Sequence, residues 1–479
     1  MSTTSHPWRA LLAAAVILAA CATTIAVPAT STPTTAAASS PCGPLGWIRG
    51  YELNDRCNYG LLDPTLITDL GLLNALSQLG LFATLTPCLG QGLSTAAVVA
   101  MPDELLVTAS SAQRLGEAVA EVSGRLDGSV IGVTTLNPLA ATLSLRPSIL
   151  SEAFLRQVIP TLQGRGFSTD LNYLEPALPN YAFRPAGNPL PADKPVSGQG
   201  GSGSVLVVDS PADAAATPGV TTIGPRTDYD VDGNGLVDED HGHGVYVASL
   251  VKRLAPGTRV VLAGVDGGHL GASERWSPMV FSDADVIAAL GAGFGLSATG
   301  VAQPFDVVNL SLGGAGCAGI ASRLALGRFL RDLADLSAST TGIRPVYVAA
   351  AGNDGGNVKH FPAAWRDGPT MEAAALAVDL VSPPGVGDEI RAIHDELRAG
   401  MLAVGSRTGG GRDSFSNCGM WVNAVAAGRN TVSRYPSPPS STGFARWSGT
   451  SFATARVSAA VAGGQGITDV MVGNGVGHC

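Results

Sequence analysis

Between residues 205 and 479, short apolar runs recur with helix-patterned stretches between them, and this alternation limits the folds open to the chain. The runs are Val205–Val208, Val260–Ala263, Val307–Leu310, Val346–Ala349, Ala375–Val378 and Leu402–Val404. Nearly every position in them is apolar, so both faces of each strand need cover; a sheet with one wet face would show a polar residue at every second place. Asp283–Leu290 and residues 321–335 carry the helical period that supplies that cover. The expectation is a three-layer α/β domain with a mostly parallel sheet. In such folds the reactive groups gather beyond the carboxyl ends of the strands.

Four segments meet that condition. Asp209 directly follows the first run, where a carboxylate can be buried enough to hold an imidazole in one tautomer. His243 opens a helix-compatible stretch to Val251, between Gly242 and Gly244, which leave room for a peptide to approach. A histidine suits proton transfer because its ordinary pKa lies near neutrality; His241 is the other candidate, one glycine further out and facing an acidic loop. Asn353, just after Val346–Ala349, offers an amide to an oxyanion that exists only in the transition state. Ser451 sits where a glycine turn feeds a helix of small residues, near free backbone donors and the favourable end of the dipole. Each has an ordinary reading too: a strand-end carboxylate, a turn asparagine, a Gly-Thr-Ser helix cap. Their joint order is what points to a nucleophile, a base, an orienting acid and an oxyanion donor.

Asp209-Ser, Gly242-His-Gly-x-x-Val-Ala248, Asn309-Leu-Ser-Leu-Gly-Gly314, Ala-Gly352-Asn353-x-Gly355 and Gly449-Thr-Ser-x-Ala453 resemble, in order, the signature segments of the subtilisin-like serine proteases. Arg253–Pro256 fits the family segment before the next strand, and the resemblance covers about 205–465. It implies Asp209 as orienting acid, His243 as general base, Ser451 as nucleophile and Asn353 as oxyanion donor. It also implies that Ser311, Leu312 and Gly313 line a cleft where an extended peptide adds as a strand. The chain departs from the family at Pro211 (usually Gly), Tyr246 (usually His) and Ala455-Arg456 (usually Pro-His). These positions shape packing rather than carry protons. The alternative is a surface-displayed module of the same fold that binds peptide or protein without turnover, with the triad out of mutual reach.

The remainder divides by composition. Residues 1–21 hold His6 and Arg9 before an apolar run, Ala10 to Ala20, the length of a signal-peptide core. Its end, Leu18-Ala-Ala-Cys21, resembles a bacterial lipobox, with Cys21 lipidated; cleavage later, near Ala37–Ala38, would discard it. Residues 22–41 are an uncharged Thr/Ala/Ser/Pro tether. Residues 42–95 form a cysteine-containing region without a sustained period. Over 96–184 the order is strand 104–108, helix 111–122, strands 129–133 and 141–145, helix 150–163 and strand 171–174, the βαββαβ order of a small α+β ferredoxin-like module. It resembles the family's propeptide, a chaperone and inhibitor removed after folding. Residues 185–204, rich in Pro, Gly and Ser, read as an exposed linker and cleavage zone.

Seven cysteines stand at 21, 42, 57, 88, 317, 418 and 479; without Cys21 six remain, open to fifteen pairings. A link from residues 42–95 to the protease, for instance through Cys479, would retain that region after cleavage. Asp228, Asp230, Asp232, Asn234, Asp238 and Glu239 stand at calcium-loop spacing, with Gly235 where an apolar residue is usual and a second register from Asp230 open. No organic cofactor is called for. The net charge of -9, with no basic stripe, argues against nucleic acid as partner. Peptide or protein substrates, the chain's own propeptide and a lipid anchor at Cys21 are the expected contacts, in a secreted or cell-surface setting.

Overall fold

The computed structural model describes residues 83–85, 98–146, 158–176, 190–195, 197–225, 229, 237, 239–265, 280–315, 323–436, 443–465, 470–473 and 477–479. The leader, the tether, most of 42–95 and Cys21, Cys42, Cys57, Cys88 and Cys317 lie outside them. Among the described residues no helix is long and apolar enough to cross a membrane.

The N-terminal unit comprises Val98–Ala109 (β1), Ala112–Arg125 (α1), Val130–Asn137 (β2), Ala140–Leu145 (β3) and Phe167–Pro176 (β4). The strands pair antiparallel in the order β4-β1-β3-β2. Helix α1 begins where the Ser111 hydroxyl accepts the Arg114 N–H, satisfying a first-turn donor. Its Leu115, Ala118 and Val122 pack with Leu105, Val107 and Leu143. Of the second expected helix, 158–163 fall among the described residues, and 158–161 of these are helical.

The larger domain runs through Ser204–Asp209 (β5), His243–Leu254 (α2), Arg259–Gly264 (β6), Asp283–Phe294 (α3), Val307–Leu310 (β7), Leu324–Thr341 (α4) and Val346–Ala350 (β8). Gly368–Asp379 (α5), Val386–Gly400 (α6), Met401–Thr408 (β9), Ala424–Ala426 (β10) and Thr450–Val461 (α7) follow. The order β10-β9-β8-β7-β5-β6 is parallel throughout, with Met471–Val472 antiparallel on the β10 edge. The apolar runs work as the alternation requires. Leu206 and Val208 enter one core with α3 and α4, while Val205 and Val207 enter the other with α2 and α7.

One expected strand is a helix. Ala375–Val378 lies in α5, where Met371, Ala374, Ala375 and Val378 share the buried side. A short alanine-rich run fits either period, and alanine's helix propensity combines here with burial at helical spacing.

The expected exposed linker is also partly folded in. Leu190–Pro191 pairs with Phe444–Trp447, and Gln199–Gly200 pairs with Gly464–Gln465. The Gly198 and Gly203 N–H groups donate to Arg253 O at 2.8 Å and Ala462 O at 3.1 Å. A Cβ on Gly198 would stand 2.3 Å from Leu254 O, so these glycines serve close backbone approach rather than looseness. Residues 185–189 and 196 of the stretch lie outside the described residues.

The N-terminal sheet meets α3 and α4 through buried polar contacts. Asp170 accepts the Leu324 N–H at 2.8 Å and Asn172 accepts the Ala284 N–H at 3.0 Å, each serving a helix N-terminus. Val280–Ser282 adds to the edge of β4. The Asp170 carboxyl is pushed up to about 7, first by burial and also by Asp283, against the lowering effect of its bond from the Tyr173 hydroxyl.

Candidate active site

Register sets the stage for the site. Val205 pairs with Val307 and Val307 with Val346, so Asp209, Ser311 and Ala350 end or follow three adjacent strands at one level. Asp209 is 2% exposed. His243 Nδ1 bonds its Oδ1 at 2.8 Å and lies 3.0 Å from Oδ2. The Ser210 N–H also donates to Asp209 Oδ1 at 2.7 Å, while Ser210 Oγ accepts the Gly244 N–H at 2.7 Å. These bonds tie the strand end to the start of α2. With Nδ1 held as donor to the carboxylate, Nε2 is left as the basic nitrogen.

The glycines beside His243 lie against other parts of the enzyme. A Cβ on Gly242 would lie 2.2 Å from the Tyr435 ring, and one on Gly244 would lie 2.0 Å from Ser210 O. These close contacts with enzyme groups require glycine at both positions. The imidazole stands edge-on to Trp447 at 5.3 Å and 5.7 Å from Phe452. Tyr246, one of the departures, packs on the same two rings and donates its hydroxyl to Thr431 O at 2.6 Å. Burial pushes that phenol far up, so it stays protonated and acts as packing with a polar tip.

Ser451 is the second residue of α7 and is 7% exposed. Its Oγ donates to Ser311 O at 3.1 Å, while Ser311 Oγ donates to Ser451 O at 3.0 Å. In this conformation the hydroxyl is turned to the 311 backbone rather than to His243. Leu312 is buried in the core, and a Cβ on Gly313 would stand 2.7 Å from Phe361 O.

Asn353 Oδ1 accepts from the Thr450 N–H at 2.8 Å and from the Thr450 hydroxyl at 3.0 Å. Both partners donate, which fixes the amide orientation and leaves Nδ2 as the free donor end. In sequence Thr450 reads only as part of a capping string, and the loop bearing Cys418 carries no sign of a functional role. The structure gives both a place beside Asn353. Only the adjacency of Thr450 to Ser451 could have signalled the first, and nothing local signals the second. Cys418 is bonded to Cys479, so Cys479 does not link the 42–95 region to the protease. Among the described residues no cluster of metal-ligating side chains occurs. The expected calcium ligands Asp228, Asp230, Asp232, Asn234 and Asp238 lie outside them, as does the Glu239 side chain.

An aspartate–histidine pair beside a serine on a helix N-terminus, at the carboxyl edge of a doubly covered parallel sheet, defines a serine-hydrolase class of site. The sequence model of the subtilase family matches residues 186–465, more than half the chain, and the chain belongs to that family as a subtilisin-like serine protease. Among solved structures it is similar to the patellamide maturation protease PatA, at 22% identity over 55% of this chain and 79% of that one, with a TM-score of 0.34. A lanthipeptide protease is 17% identical over 55% of this chain and 73% of its own, with a TM-score of 0.35. A cold-adapted subtilisin-like serine proteinase is 20% identical over 57% and 79%, with a TM-score of 0.34. No curated protein matches the chain.

Proposed function

We propose that the chain is a secreted serine endopeptidase made as a zymogen. Ser451 Oγ attacks a peptide carbonyl while His243 Nε2 takes its proton, and Asp209 holds the imidazole and stabilises its charged form. Asn353 Nδ2 and the Ser451 backbone N–H hold the oxyanion. His243 returns the proton to the leaving amine, and water enters by the reverse route to release the acyl group. The peptide runs along Ser311, Leu312 and Gly313 as an added strand. The observation that carries the reading is the buried His243–Asp209 pair, at 2.8 and 3.0 Å.

The N-terminal unit is the prosegment in this scheme. Its strand order, which is that of a ferredoxin-like βαββαβ module, supports the reading, as does its seat on the N-termini of α3 and α4. The hydroxyl of Ser451, turned to Ser311 O, suits a latent form. Cleavage falls in the linker 185–204, within its first part, 185–189, before the chain pairs with Phe444–Trp447. Residues 1–21 direct export, with Cys21 either lipid-anchored or discarded, which intact mass of the mature chain decides.

A fluorophosphonate probe should label the processed wild type and leave Ser451→Ala unlabelled, while Ser451→Ala stays one chain on reducing gels. Unlabelled, folded and processed wild type would end the catalytic reading; processing of both proteins would assign maturation to another protease. The acidic loop 228–239 is proposed to hold a structural Ca2+, since its oxygens recur at ligand spacing and the next turn, Glu239–Gly242, leads straight into His243. Adding Ca2+ to chelator-treated enzyme should raise its melting temperature, and Asp232→Ala should remove that rise. Equal melting with and without Ca2+ would exclude the site.

A further inference from the structure

The loop that carries Asn353 lies between strand β8 and the short strand His360–Phe361, so ladder hydrogen bonds do not fix it. Ala351 N–H donates to Val404 O at 2.9 Å and Gly352 N–H to Thr450 Oγ at 3.3 Å; most of the remaining hold on the residues around Asn353 comes from one side chain. Asn417 is 1% exposed and reaches the chain on both sides of Asn353. Its Oδ1 accepts the Asp354 N–H at 2.7 Å. The two protons of its Nδ2 are shared among Ala351 O at 2.9 Å, Asp354 Oδ2 at 2.8 Å and Val358 O at 3.1 Å. Its own N–H donates to Gly352 O at 2.9 Å. Residues 351, 352 and 354 are therefore all bonded to Asn417, and the residue between them is Asn353.

The fit is close as well as bonded. Gly352 adopts φ +100°, and a Cβ there would lie 2.5 Å from Asn417 Nδ2 and 2.7 Å from the His360 ring. The flanking backbone continues the seam: Gly355 N–H donates to Phe415 O at 2.8 Å, and Cys418 N–H donates to Gly356 O at 2.9 Å. Asn417 is itself held from behind. Ser416 Oγ accepts the Ser406 N–H of β9 at 2.8 Å, and the Cys418–Cys479 bridge secures the next residue to the C-terminal tail. Asn417 hydrogen-bonds to none of Asp209, His243 or Ser451.

We propose that Asn417 is a positioning residue for the oxyanion donor. It sets the backbone on either side of Asn353 so that, with Oδ1 held by Thr450, Nδ2 stands where charge develops. A donor aimed at a transition-state oxygen loses its effect when displaced by a fraction of an ångström, whereas ground-state peptide binding along Ser311–Gly313 does not depend on it. The proposal rests on the reading of Asn353 as that donor.

The test uses active enzyme prepared from the full chain, with a peptide substrate and a matching peptide boronate as a tetrahedral mimic. Asn353→Ala should lower kcat by about 10²–10³. Asn417→Ala should lower kcat by roughly 10–100-fold, leave KM within about threefold, and weaken the boronate by the same factor as kcat. The double variant should fall no more than about threefold below Asn353→Ala alone, since a displaced donor cannot be lost twice. Asn423→Ala is the control. Asn423 is also buried and accepts a backbone N–H, that of Ala403 at 2.9 Å, away from the loop, so its removal should cost stability and leave kcat unchanged. If Asn417→Ala does not fold, Asn417→Ser substitutes: it removes the Nδ2 donors without setting a carboxylate against Asp354 Oδ2 and should show the same split. An unchanged kcat in Asn417→Ala, or multiplying losses in the double variant, overturns the positioning role while leaving the oxyanion reading intact. An unchanged kcat in Asn353→Ala overturns both.

Discussion

The two halves of the site are held in different ways. The base half is direct: Asp209 and His243 bond to each other, and Ser210, next in the chain, ties down the start of α2. The half around Asn353, the proposed oxyanion donor, is held indirectly. Asn353 touches Thr450, and its backbone is bracketed by Asn417, some sixty residues away and outside any reacting group. The difference follows from the fold. Asp209 ends a central strand and His243 starts a helix packed on that sheet, so regular elements already fix both. Asn353 lies past the end of β8 in irregular chain, where every backbone donor and acceptor needs a partner from elsewhere. A directly paired half should fail when one partner is removed; a scaffolded half should fail by degrees.

That contrast gives a graded series of substitutions in processed enzyme, read as kcat on a peptide substrate. His243→Ala should cost roughly 10⁶, and Asp209→Asn roughly 10⁴, because the amide favours the wrong imidazole tautomer. On the other side, Thr450→Val keeps the backbone donor to Asn353 Oδ1 but loses the hydroxyl that donates to Oδ1 and accepts the Gly352 N–H, and should cost about tenfold, well under the 10²–10³ of Asn353 itself. Losses of equal size from Asp209→Asn and Thr450→Val would erase the distinction between a paired and a scaffolded half.

The smallest effect concerns neither half but the seat of the N-terminal unit. Asp170 has its carboxyl raised to about 7 by burial, above the ordinary carboxylate value, so the docked state binds the proton more tightly than the free one. Its contribution to docking is full below the ordinary pKa, near 4, and is lost as pH rises through about 7. Asp170→Asn retains an acceptor for the Leu324 N–H and no longer titrates. In the uncut Ser451→Ala background, wild type at position 170 should lose melting temperature relative to Asp170→Asn between pH 5 and 8. A gap between the two that does not change with pH would show that Asp170 stays ionised at the junction.

Much of the architecture was legible because it rests on short-range pattern. Consecutive apolar positions in Val205–Val208 and Val307–Leu310 require cover on both faces, and α2, α3, α4 and α7 provide it. Ser111 marks the start of α1 by its own side chain. The Ala375–Val378 reading failed for the same physical reason: four small apolar residues fit two periods, and only the neighbours at 371 and 374 decide between them. Gly198, Gly201 and Gly203 read as a flexible linker because glycine signals freedom in isolation. Here it marks places where Leu254, Ala255 and Ala462 press against the chain.

By itself the sequence determined the parallel sheet, the positions of Asp209, His243, Asn353 and Ser451 past strand ends or at helix starts, and the family they resemble. Those follow from residue type, spacing and order, all of which are local. Only the tertiary structure decided that the His243 ring stands against Trp447 and Phe452, that Cys479 closes on Cys418, and that Asn417 holds the chain around Asn353. A side chain's hydrogen-bond partner is set by which loops the sheet brings together, and that distance is invisible along the chain. Asn417, in a Ser-Asn-Cys loop, carries no local sign of its use; the irregular backbone at 351–358 creates the need, and the fold places the amide that fills it.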